Sequence, residues 1–141
     1  MRTLPTKCSD DEIRNLVIEW WELIAAGKYK EALEMFAHKD DGGIVWTPET
    51  LKEGIATGCS MEPPRAKPLS LRKQKDFDRI FKAMNVDREH LFGLDPKKYI
   101  GMVHFEYLPM KPYIGALTAR FAILKVGRNQ LTLEFHDAHV M

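Results

Sequence analysis

The chain has 141 residues, of which 45% are hydrophobic and 10% aromatic, enough to bury one core, so we expect a single domain spanning residues 1–141. The 21 lysines and arginines nearly balance the 20 acidic residues, which disfavours nucleic acid or an anionic membrane as a partner. There is no apolar run of membrane length and no apolar leader, and Cys8 and Cys59 lack metal-type spacing. We therefore expect a cytoplasmic protein without a metal or cofactor.

Two helices are predicted at the start of the chain. Ser9, followed three places later by Glu12, is a capping box, and a stripe of apolar residues at helical spacing runs from there to a stop at Gly27. The stripe consists of Ile13, Leu16, Val17, Trp20 and Ile24. Apolar residues between Tyr29 and Phe36 repeat the spacing, so a short second helix is expected to pack back on the first.

A short strand and a third helix follow. The acidic, glycine-rich turn 40–43 ends the second helix, and the segment 44–46 is predicted to be a brief strand. Thr47 before Pro48 supplies an N-cap and a first-turn proline for a helix that we expect to end at Gly58.

Residues 59–98 are harder to assign. The prolines between Met61 and Ser70 are incompatible with the interior of a helix or a sheet, so we expect an exposed connector there. Ser70 is placed to cap a helix with one apolar side. That side consists of Phe77, Ile80, Phe81 and Met84. Residues 87–91 indicate one more helical turn before the sheet.

From Tyr99 onward apolar and polar residues alternate, which predicts β-strands. Breaks at Pro109 and Pro112 and a turn at 127–129 divide this region into an antiparallel meander. Helices first and strands last indicate an α+β fold, with the N-terminal helices packed on one face of a curved antiparallel sheet.

The outer face of this sheet, away from the helices, is predicted to be solvated, because polar residues of successive strands share its parity. They are His104, Glu106, Thr118, Arg120, Thr132, Glu134 and His136. Arg120 lies on the strand between two acid-bearing strands, so we expect a charged ladder of Glu106, Arg120 and Glu134.

The last strand carries the candidate catalytic residues. Counting by twos from Phe135, Asp137 and His139 fall on the same, inward side. A strand that places two titratable groups there either leaves the core at that point or lines a cavity. In a cavity, Asp137 would orient the imidazole of His139 and raise its basicity, whereas at a frayed chain end both would simply be solvated.

This order of elements resembles the NTF2-like superfamily of cone-shaped, cystatin-like α+β domains, which includes the SnoaL-like and ketosteroid-isomerase-like families. The resemblance rests on the long and short helices, the step from Asp40 and Asp41 towards Trp46, the proline-led helix and the closing meander. It covers residues 13–58 and 102–141. Residues 59–98 depart from the superfamily pattern.

The resemblance implies a pocket between the helices and the sheet, and a homodimer formed through the outer face of the sheet. The aromatic residues that would line this pocket, or pack as core, are Trp20, Phe36, Trp46, Phe105, Tyr107, Phe121 and Phe135. The longer connection at 59–98 would serve as a lid, an interface or a decoration. Where ketosteroid isomerases carry an Asp as general base, this chain has Thr47 before Pro48, and a hydroxyl cannot take a substrate proton near pH 7.

Two classes of function remain. The first is a non-catalytic domain that binds a small apolar ligand or another protein, favoured because no cofactor motif and no base at the expected place are present. The alternative is a SnoaL-like isomerase or dehydratase acting on a small apolar carbonyl compound, with His139 as base and Asp137 orienting it. By analogy, a toxin-neutralising or other protein-binding role is a third idea. Trp20 and Trp21 are adjacent on one helix, so we expect one of them at a pocket rim, a dimer interface or the helix seam.

Overall fold

A computed structural model describes residues 1–38, 45–58, 66–111 and 117–140, without the side chains of His139 and Val140. The helices in these ranges are α1 (Asp10–Ala25), α2 (Tyr29–Met35), α3 (Pro48–Gly58) and α4 (Phe77–Ala83). The strands are β1 (Leu4–Pro5), β2 (Ala37–His38), β3 (Lys67–Pro68), β4 (Asn85–Asp87), β5 (Tyr99–Leu108), β6 (Met110–Lys111), β7 (Leu117–Val126) and β8 (Gln130–Val140).

The main sheet has the order β1-β8-β7-β5-β4, and β2 pairs in parallel with β8. The long strands β5, β7 and β8 form the antiparallel meander that the alternation of apolar and polar residues predicts. β3 and β6 form a separate two-stranded sheet. The main sheet curls strongly into a half-barrel, which confirms the predicted α+β class with helices against a curved antiparallel sheet.

The predicted caps of the first and third helices are confirmed. The Ser9 hydroxyl oxygen accepts a hydrogen bond from the backbone N–H of Glu12 at 3.2 Å. After α1 the chain turns at Gly27, whose φ of 79° lies in the region that glycine tolerates best. Thr47 and Thr50 cap α3 reciprocally, because the hydroxyl oxygen of each accepts from the backbone N–H of the other.

The short strand between α2 and α3 differs from the prediction. Val45 and Trp46 lie outside any strand, and the remainder of the predicted strand, with the acidic turn, falls in 39–44, outside the described residues. The strand is instead β2, held by its parallel pairing with β8. Two residues show no alternation by themselves, so only the partner strand reveals them.

Three predictions for the middle of the chain also need correction. Residues 67–68 pair with β6, although the stretch was expected to be an unpaired connector, and the rest of that connector lies in 59–65, outside the described residues. α4 begins at Phe77 with Asp76 before it, and Ser70 caps no helix. Asp87, where a helical turn was predicted to begin, is instead the last residue of β4, which pairs with β5.

Helix α1 is buried on two sides. Trp20 packs edge-on against Phe121 of β7, with ring centroids 5.0 Å apart. Trp21 points to the other side and is also fully buried, and its indole N–H donates to the Leu69 carbonyl at 2.8 Å. The prediction that one of the two tryptophans reaches a pocket rim or a dimer interface is therefore wrong, because the chain near Leu69 covers the second side of the helix. The third alternative, the seam with the second helix, stays a prediction.

One carboxylate holds residues 69–72 on α1. Glu22 accepts hydrogen bonds from the Ser70 hydroxyl at 2.6 Å, the backbone N–H of Leu71 at 2.7 Å and that of Arg72 at 3.0 Å. The Leu71 side chain is fully buried. This part of the 59–98 connection is therefore fixed to the domain by hydrogen bonds and by apolar burial.

Candidate functional site

Most of the aromatic residues predicted to line a pocket are buried in the core. These are Trp20, Phe36, Phe105, Phe121 and Phe135. The ring centroids of Phe121 and Phe135 lie 5.6 Å apart, and Trp46, which is partly buried, meets Phe135 at 5.1 Å. Tyr107 is separate from this group, with 51% of its surface exposed. The rings of Trp20, Phe36, Phe121 and Phe135 contact one another, as core residues do.

Asp137 lies on the outer face of the sheet, away from the core. β7 and β8 pair Phe121 with Phe135 but Arg120 with Asp137, so β8 carries one extra residue, His136, between the two pairs. Such a bulge reverses the alternation of side chains beyond it. The expectation that Asp137 shares the inward side of Phe135 is wrong for this reason.

The structure places the backbone of His139 opposite Thr118 of β7. The His139 side chain lies outside the described residues. Its predicted role as a base, and that of Asp137 in orienting it, therefore stay predictions.

Arg120 and Asp137 form a bidentate ion pair. Arg120 Nε donates to Asp137 Oδ1 at 2.9 Å, and Nη2 donates to Oδ2. This hydrogen bonding raises the pKa of the Arg120 guanidinium further above its ordinary value, so the arginine keeps its charge. The predicted ladder of Glu106, Arg120 and Glu134 is wrong, since the Arg120 guanidinium binds Asp137.

Glu134 lies at the centre of a nearly buried polar network. Its Oε1 accepts a hydrogen bond from the Tyr99 hydroxyl at 2.9 Å and lies 2.9 Å from His136 Nε2. The Glu134 and His136 side chains are only 7% and 10% exposed. The outer face is thus not solvated at its centre, contrary to the prediction, since Thr118, Thr132 and Glu134 are all buried.

Two exposed aromatic residues, Phe92 and Tyr107, have backbone in the left-handed region. Phe92 is 65% exposed, has a φ of 51°, and packs edge-on against His104 of β5 with centroids 5.7 Å apart. Tyr107 has a φ of 61° and lies where β5 carries one extra residue between Phe105 and Leu108. An L-residue in this conformation costs about 1–2 kcal/mol.

A cavity of about 580 Å³ opens elsewhere, between the end of α1, α3 and β3. Ile24, Ala56 and Ala66 contribute apolar walls, and Tyr29 and Lys52 contribute polar groups. It contains none of the aromatic residues predicted from the sequence. Its existence depends on how β3 packs against α3, which no local pattern in the sequence indicates.

Searches of protein-family models, of curated proteins and of solved structures find no match to this chain. Across the described ranges, no group of three or more His, Cys, Asp or Glu residues is placed to hold a metal ion. Likewise, none of the helices described above combines the length and the apolar character needed to cross a membrane. The chain is therefore defined by its geometry, an α+β half-barrel with a polar outer sheet face and a separate apolar cavity.

Proposed function

We propose that this protein is a non-catalytic NTF2-like binding domain whose outer sheet face binds a second copy of the same chain. The NTF2-like assignment is supported by the order of its elements, a long and a short helix, a proline-led third helix and a closing meander that curls strongly. The binding role is supported by the side chains of the outer face.

The exposed side chain of Phe92 is the main support for this proposal. Its ring is mostly exposed, and its backbone is held in a conformation that disfavours bulky residues, so neither feature stabilises an isolated chain. Aromatic side chains are enriched in the buried centre of protein interfaces. Complete burial of the Phe92 ring against a partner would contribute about 1.5–3 kcal/mol.

The charges of the outer face are compatible with self-association. Arg120 pairs in register with both His104 and Asp137, so a cation and an anion lie side by side in one row. A two-fold axis through this row would bring Arg120 of one copy towards the partner's Asp137. Their side chains are 42% and 35% exposed, so both reach the surface that a second copy would cover.

The experiment is a comparison of Phe92→Asn with Val45→Asn by sedimentation equilibrium. Asparagine tolerates positive φ, so the first variant removes the ring without straining the turn. Val45 is 81% exposed and provides a matched loss of apolar surface away from the sheet. We expect a wild-type dimer that Phe92→Asn weakens at least about tenfold, the effect of about 1.4 kcal/mol, and that Val45→Asn leaves intact. A monomeric wild type, or equal dissociation of both variants, would reject the proposal.

A further inference from the structure

The cavity between α1, α3 and β3 is lined by residues of all three elements. Small residues face it from each element, Ala25 at the end of α1, Ala56 on α3 and Ala66 beside β3. The backbone N–H of Ala66 donates to the Ala56 carbonyl at 3.3 Å, which fixes the distance between two of the walls. Ile24, fully buried, provides the floor. The volume of about 580 Å³ falls in the range of small-molecule sites.

Two exposed lysines belong to the lining of this cavity. Lys52 on α3 and Lys67 on β3 both line it, and within the described part of the chain neither forms an ion pair. Glu53 is the one carboxylate among the described lining residues, and it has an interaction of its own. The described lining residues therefore carry an excess of positive charge, two lysines against one glutamate, in a chain whose total charge is nearly balanced.

Tyr29 adds a neutral hydrogen-bond donor. Its ring is half-buried in the lining, and burial raises the pKa of its hydroxyl, which therefore stays protonated at neutral pH. No residue in the described ranges forms a hydrogen bond with this hydroxyl. Tyr29 also lines an adjoining cavity of about 440 Å³, whose described lining is largely charged.

We propose that this cavity binds a small monocarboxylic acid with an apolar body, the carboxylate lying between Lys52 and Lys67. The hydrocarbon part packs on the alanine walls, and the Tyr29 hydroxyl donates to the carboxylate. Hydrogen bonds between ionised partners are stronger than neutral ones, so the acid is preferred over a neutral molecule of the same size. The site shares no residue with the outer sheet face and is independent of dimer formation.

The test uses octanoate and its neutral analogue 1-octanol, titrated into the full chain. Binding is measured by calorimetry, and its place by the shifts of backbone amide NMR signals. We expect octanoate to shift the signals of Ile24, Ala56 and Ala66, and to bind about tenfold more tightly than octanol, a difference of about 1.4 kcal/mol.

Variants separate the charge from the apolar space. Lys52→Gln combined with Lys67→Gln should weaken octanoate binding about tenfold and leave octanol unchanged, since one charge-assisted contact contributes about that much. Lys82→Gln, on the exposed side of α4, is the matched control and should change neither. Ala56→Phe should abolish binding of both compounds. Ala56 is partly exposed, so the larger ring fills the cavity without overpacking the core.

The proposal fails if millimolar octanoate shifts none of these amide signals, or if octanol binds as tightly as octanoate. It also fails if the double variant Lys52→Gln with Lys67→Gln and the control Lys82→Gln change the affinity for octanoate equally. An unchanged amide spectrum outside the cavity shows that each variant is folded, so loss of binding cannot come from unfolding.

Discussion

Arg120 and Asp137 face each other across β7 and β8 and share two hydrogen bonds on the outer side of the sheet. Their pairing follows from the extra residue at His136, which moves Asp137 away from the inward side of Phe135. In the structure the Asp137 carboxylate thus binds a guanidinium outside the core. The interaction gives the sheet a surface ion pair, and its strength can be measured.

Asp137→Asn is expected to lower the free energy of unfolding by no more than about 1 kcal/mol, because both side chains keep contact with water. Urea unfolding of this variant, of Arg120→Gln and of the double variant gives the coupling energy. High salt should reduce that coupling. A coupling above about 3 kcal/mol would mean that the pair is desolvated.

The enzyme alternative makes a different prediction for the neighbouring histidine. If His139 is a base oriented by Asp137, wild-type protein turns over a small apolar carbonyl compound, and both His139→Ala and Asp137→Asn lose that activity while staying folded. We expect no turnover by the wild-type protein, by His139→Ala or by Asp137→Asn, as the binding role requires. Activity lost in His139→Ala but kept in His90→Ala, at an exposed histidine, would establish the enzyme instead.

Tyr99→Phe should destabilise the protein by about 1–3 kcal/mol, since it removes a hydrogen-bond donor from the nearly buried Glu134 carboxylate. Tyr107→Phe is the matched control, because it removes the same hydroxyl from an exposed ring, and its effect should lie within about 0.5 kcal/mol. Both are compared by urea unfolding. Equal effects for the two variants would contradict the network at Glu134.

Glu22→Ala should loosen residues 69–72, because two backbone N–H groups and one hydroxyl lose their common acceptor. We expect the amides of Leu71 and Arg72 to exchange with solvent about tenfold faster or more, the effect of about 1.4 kcal/mol in local opening. Glu31→Ala, at an exposed position of α2, should leave their exchange unchanged. Unaltered protection in Glu22→Ala would show that apolar burial alone holds the segment.

Asp87 gives the protein a defined acid sensitivity. The backbone N–H of Glu89, then that of His90 and the His90 ring, lower the pKa of this carboxyl below its ordinary value. A lowered folded-state pKa stabilises the protein above the unfolded pKa of about 3.9, and this contribution is lost as pH falls through the folded value. Asp87→Asn should therefore flatten the decline of melting temperature below about pH 4. Glu31→Gln is the control for the loss of one negative charge. If Asp87→Asn leaves the decline of melting temperature at low pH unchanged, the role given to Asp87 is contradicted.

Local signals predicted much of the fold. The Ser9 cap, the stop at Gly27 and the Thr47 cap act within one helical turn, so each could be recognised in the sequence and each is observed. The alternation from Tyr99 onward predicted the long strands for the same reason. These features depend on neighbours along the chain and not on distant partners.

The remaining features depend on contacts between distant residues. The bulge at His136 shifts parity by one residue without any local mark, so counting by twos assigned Asp137 to the wrong face. β2 exists only by pairing with β8. The cavity beside Tyr29 needs β3 placed against α3, and Pro68 favoured an unpaired connector there.

Substitution of Trp21 cannot serve as a test of partner binding, because its ring is enclosed between α1 and the segment near Leu69. Trp21→Ala would remove about 3–5 kcal/mol of stability, so any loss of binding would follow from unfolding.

The same enclosure makes α1 the middle of three layers, with the sheet on one side and the segment around Leu71 on the other. A shortened chain that omits residues 59–98 would expose an indole ring and unpair its N–H. The smallest unit that keeps this helix covered therefore includes part of the segment that departs from the pattern of the superfamily the sequence resembles.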